Sequence, residues 1–148
     1  MRTSRGGDFA GPGIMLFSAL LFGFFGFGYA LGLPFGVDWN TPGVDGNPVL
    51  FRQMLGWTLK LSAAAFLISA LFSFVQPLIA NALYSFVGLV GAVLFVIIAV
   101  LDVLDTQHGI MVYGPFILLI FAAFNGYGSW QGLRGVLSLR GRRETAAA

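Results

Sequence analysis

Four long apolar stretches separated by short polar connectors dominate this chain, and they decide the solvent it can live in. They run roughly over residues 14–33, 49–76, 82–104 and 113–133. Each reaches the ~20 residues that a helix needs to cross a ~30 Å hydrocarbon core. The pattern predicts an all-α integral membrane protein: four transmembrane helices in one bundle, with both termini cytoplasmic.

Composition supports this. Charged residues make up 9% of the chain and hydrophobic residues 57%, whereas soluble domains carry ~25% charged residues. Mean hydropathy is +0.86. Cysteine is absent, which removes disulfides, thiolate metal sites and thiol catalysis. Residues 1–13 read as a flexible cytoplasmic arm, 14–133 as the membrane domain and 134–148 as a basic cytoplasmic tail. Arg2 and Arg5 before an apolar stretch resemble the start of a signal peptide, but the stretch is taken as a true first span.

Orientation follows from the arginines. Arg2, Arg5, Arg134, Arg140, Arg142 and Arg143 flank the two ends, while Arg52 and Lys60 are the basic residues of the opposite side. Basic residues accumulate on the cytoplasmic face. The opposite side carries Asp38, Asp45, Asp102 and Asp105. Trp39 and Trp57 fall at the outer level, Tyr84, Tyr127 and Trp130 at the inner one. These features place the chain in a membrane, the bacterial inner membrane being the expected one. Nucleic-acid binding is not expected, because the arginines have no folded platform.

Leucine burial cannot drive helices together in lipid, so small residues and a few polar contacts must. Stripes of that kind occur at Ala19, Gly23, Gly28 and Gly32 in the first span, at Ala65, Ser69 and Ser73 in the second, at Gly88 and Ala92 in the third, and at Ala122 and Gly126 in the fourth, with Gly128 and Gly132 beyond. They are candidates for internal packing or for docking other membrane subunits. Phe22, Phe24, Phe25 and Phe27 cover more than one face of the first span, as suits contact with lipid or a partner.

Chemistry-bearing residues are sparse. Depth matching across the second connector, centred near Ile79, predicts that Lys60 reaches outward to pair with Asp102 and that Arg52 meets Asp105. Both are expected to be structural ion pairs. Asp102, Asp105 and His108 offer too few ligands for a metal site. Asn81 is expected to cap the third helix, and Asn125, near Ser129 and Gln131, to bond across to another helix. No catalytic, metal or cofactor site is expected, although lipid, pigment or quinone could be bound. The functional expectation is a non-catalytic accessory or scaffolding subunit of a multi-subunit membrane complex, respiratory or photosynthetic, assembled as a hetero-oligomer. The alternatives are a small oligomeric transporter or channel, with Ser62, Ser69, Ser73 and Lys60 along its path, and a pigment or quinone carrier.

Overall fold

A computed structural model describes residues 11–34, 37–40, 49–104 and 114–147. Among these residues the protein has four α-helices and no strand: α1 (Pro12–Phe27), α2 (Val49–Phe72), α3 (Pro77–Leu104) and α4 (Gly114–Ala147). Consecutive helices pack side by side. Rings close the bundle between its first and last members, because Phe22 of α1 reaches Phe121 and Phe124 of α4 at 5.5 and 6.1 Å.

The helix limits have local causes. Pro12 starts α1, where its missing N–H has no helical partner to lose. Helical winding persists in looser form beyond Phe27, with Leu31 N–H donating to the Phe27 carbonyl. It closes at Gly32, whose φ of +67° is left-handed. There Leu33 N–H donates to the Gly28 carbonyl and Gly32 N–H to that of Tyr29, the paired bonds of a Schellman motif.

The α2–α3 connector is a tight turn over Ser73–Gln76, with Gln76 N–H on the Phe72 carbonyl at 2.7 Å. Pro77, not Asn81, opens α3. Proline is favoured in the first helical turn, and Asn81 lies one turn inside, its amide donating back to the Pro77 carbonyl at 2.8 Å. At the other end, α4 does not stop near residue 133 but continues as helix to Ala147. The segment from Leu133 onward holds no proline, and its leucines, arginines and alanines are strong helix formers.

Two helical segments, Arg52–Phe72 and Pro77–Leu104, are long and apolar enough to cross a membrane, and α1 is a shorter apolar helix. Apolar side chains form the core and also cover the outside, with a few polar groups buried between the helices. Leu20, Leu61, Phe86 and Ile120, one on each helix, are all more than 60% exposed, whereas Ser18, Ser62, Ser69, Asn81, Asp102 and Asn125 are buried. At the centre Phe22 stacks among Phe66 of α2 at 5.4 Å and Phe95 of α3 at 5.9 Å, so one ring touches all three other helices.

Candidate functional site

The tightest contact in the bundle is the α3–α4 seam, and glycine makes it possible. A Cβ at Gly88 would stand 2.7 Å from the Asn125 carbonyl oxygen and 2.8 Å from the Ser129 backbone nitrogen. One at Gly132 would stand equally close to the Asn81 carbonyl and the Ser85 nitrogen. The two backbones therefore touch where no side chain intervenes, which is how membrane helices gain packing energy. Ser85 adds an interhelical hydrogen bond to the Ser129 carbonyl at 2.9 Å.

Asn125 sits inside this seam but does not bond across it. Its amide nitrogen donates back to the Phe121 carbonyl at 2.8 Å. Its buried Oδ1 has no hydrogen-bond partner; it fills the volume that a side chain at Gly91 would need, 2.7 Å from the Cβ position. The i−4 carbonyl is always within reach of a helical amide, and the seam is too narrow to admit a donor from α3. Asn81 repeats the arrangement, with its own Oδ1 unpartnered.

Tyr84 ties the seam to the rest of the molecule. Ser18 gives its single hydroxyl hydrogen to the Ile14 carbonyl at 2.9 Å. In the 2.8 Å contact between Ser18 and Tyr84 the phenol must then be the donor. The same phenolic oxygen lies 2.9 Å from the Cβ position of Gly128, and Phe66 packs on the ring at 5.1 Å.

Toward the start of α2 the connector folds back on the helices. The Trp39 indole donates to the Phe25 carbonyl at 3.0 Å, and its ring occupies the space over Gly56. Arg52 donates to the Asp38 carbonyl at 3.2 Å. The Lys60 ammonium stands 5.4 Å from the Trp57 ring centroid and 5.9 Å from that of Phe27, so these rings are its described contacts. Asp102 lies buried near the end of α3. Asp105, expected opposite Arg52, falls outside the described residues, as does His108. Among the described residues no three histidine, aspartate or glutamate side chains gather to hold a metal ion.

The small-residue stripes divide between inside and outside. Ala19 is buried, and a Cβ at Gly23 would stand an ordinary 3.8 Å from the Ala63 methyl of α2. At Gly26, which the i, i+4 stripes passed over, α1 lies close on α2: a Cβ there would stand 3.0 Å from the Lys60 backbone nitrogen. Gly28 and Gly32 belong to the turn that ends α1. Ser69 donates to the Ala65 carbonyl within α2, and Ser73, just past its end, to that of Ala70. Ala92, by contrast, lines an open groove of about 510 Å³ on the outer side of α3 and α4, together with Val96, Ile97, Leu119 and Ala123, while Ala122, buried in the core, forms part of its floor. Gly126 continues α4 into open space, with nothing within 4 Å of its Cβ position. A second groove, of about 480 Å³, separates α2 from α3 and has Ala65 in its wall.

Comparison with known protein families, with curated proteins and with solved structures finds no match.

Proposed function

We propose that the chain is a four-span integral membrane protein, both termini cytoplasmic, that serves as a non-catalytic accessory or scaffolding subunit and docks a neighbouring membrane helix. The apolar outer surface supports the membrane part. Large apolar side chains cover all four helices while hydroxyls and amides point inward, an arrangement stable in lipid and aggregation-prone in water.

The outer α3–α4 groove carries the docking part. Its small residues, Ala92, Ala122 and Ala123, let another backbone approach closely, as small residues do at membrane-helix interfaces. Neither Ala92 nor Gly126 is consumed by packing inside the bundle: Ala92 faces the groove and Gly126 has room around it.

Native mass spectrometry of a mild detergent extract tests the proposal. The chain is expected to travel with another membrane protein, and Ala123→Trp, which fills the groove from an exposed position, is expected to abolish that association while circular dichroism stays unchanged. A chain that runs alone, or a complex indifferent to Ala123→Trp, overturns it.

A further inference from the structure

We infer that the groove between α2 and α3 binds one neutral, membrane-soluble carbonyl compound of the quinone class, with the Ser62 hydroxyl as donor to its carbonyl oxygen. The inference rests on the membrane reading above but not on the accessory role. The groove's volume, about 480 Å³, lies within the range of small-molecule sites, ~300–1,000 Å³. Its walls are apolar and partly aromatic, with Trp57 and Phe86 on opposite helices and Leu94 at one end.

Ser62 sets this groove apart from a mere gap between helices. The neighbouring hydroxyls of α2 are consumed by their own helix: Thr58 donates to the Met54 carbonyl at 2.8 Å and Ser69 to that of Ala65 at 2.9 Å. Ser62, only 5% exposed, lines the groove and makes no hydrogen bond among the described residues. Its oxygen, unlike the sealed amide oxygens of Asn81 and Asn125, stays open to the groove, so it can donate to an acceptor that a ligand brings in.

Charge and depth narrow the ligand. No charged side chain lines the groove, and the Lys60 ammonium is held over the Phe27 and Trp57 rings; an anionic headgroup therefore has no counter-charge. Ser62 lies ten residues past Arg52, ~15 Å along the helix at 1.5 Å per residue. An ester carbonyl tethered at the lipid headgroup does not reach that depth, whereas a free neutral carbonyl compound does. Gln53 at the outer rim offers an amide to a second oxygen as the molecule enters.

The purified full chain in detergent, titrated with decylbenzoquinone and followed by tryptophan fluorescence, tests the site. Quenching is expected to saturate, and to lose its saturable part in Trp57→Phe. Ser62→Ala is expected to weaken binding about two- to tenfold, the worth of one hydrogen bond, while Ser69→Ala leaves it unchanged. Ala65→Phe, which fills the groove, is expected to abolish binding. Linear quenching that persists in Ala65→Phe means partition into the micelle only and overturns the inference. So does equal competition by decylbenzene, which lacks the carbonyl, or a Ser62→Ala titration that matches the parent. Failure here, with the crossings tested separately by cysteine labelling, leaves the membrane reading standing.

Discussion

Tyr84 is the residue whose environment is most narrowly determined. Its phenol donates to Ser18 of α1, its ring packs on Phe66 of α2, and its oxygen occupies the place that a side chain at Gly128 of α4 would take. The phenol and Gly128 are therefore complementary and should be energetically coupled. Gly128→Ala is expected to destabilise the bundle by ~1–3 kcal/mol, as overpacking typically does. Tyr84→Phe is expected to cost about 0.5–1.5 kcal/mol for its hydrogen bond. The double variant should cost less than the two added together, because removing the oxygen makes room for the methyl. Unfolding in mixed micelles of increasing denaturing detergent, analysed as a double-mutant cycle, measures this; strict additivity would show that the contact carries no energy.

Glycines that look alike in sequence have opposite roles once the helices are placed. Gly88 and Gly132 meet backbone atoms of the opposing helix, which cannot give way locally; alanine at either should force α3 and α4 apart and cost ~1–3 kcal/mol or more. Gly126, two residues before Gly128, faces open space. Alanine there should be neutral or stabilising by up to ~1 kcal/mol through helix propensity, measured by the same unfolding assay. What the sequence makes legible follows from this contrast. Spacing of small residues identifies Gly88 as a packing position, because close approach needs a gap in the side-chain layer. It cannot separate an inward glycine from an outward one, since that depends on how α4 is rotated about its axis. Gly91 and Gly26 escape notice because they sit three residues, not four, from Gly88 and Gly23. The α2–α3 groove is invisible in the sequence for a related reason: an empty volume belongs to two helices and their register, not to either alone. The back-bonding of Asn81 and Asn125 is a local choice that pattern cannot anticipate. Trp39 is a further case, an aromatic that marks the interface by composition but whose wedge against Gly56 emerges only in three dimensions. Trp39→Phe keeps an aromatic ring over Gly56 and loses the indole bond to Phe25, so a modest loss of about 0.5–1.5 kcal/mol is expected, whereas Trp39→Ala should cost clearly more by emptying the space over Gly56.

At the scale of the whole molecule the proposed four-span placement makes definite demands on the helix lengths and the charges. α4 has 34 residues, ~51 Å at 1.5 Å per residue, which exceeds the ~30 Å hydrocarbon core by several turns. If its start lies at the outer boundary, about 20 residues bring it to the inner one near Arg134, and the remaining turns, with Arg140 and Arg142, stand in cytoplasmic water. The Asp38–Asn40 segment then lies outside, next to the start of α2. The proposed placement, with basic residues inward, matches a helix that is apolar at one end and charged at the other. Absence of cysteine makes the arrangement directly testable, because a single introduced thiol has no background. Asn40→Cys and Thr145→Cys both alter exposed positions. In intact cells a membrane-impermeant maleimide is expected to label Asn40→Cys and to leave Thr145→Cys unmodified until the membrane is permeabilised. Labelling of both from the same side requires the chain between them to cross an even number of times, and the three crossings by α2, α3 and α4 would then be wrong.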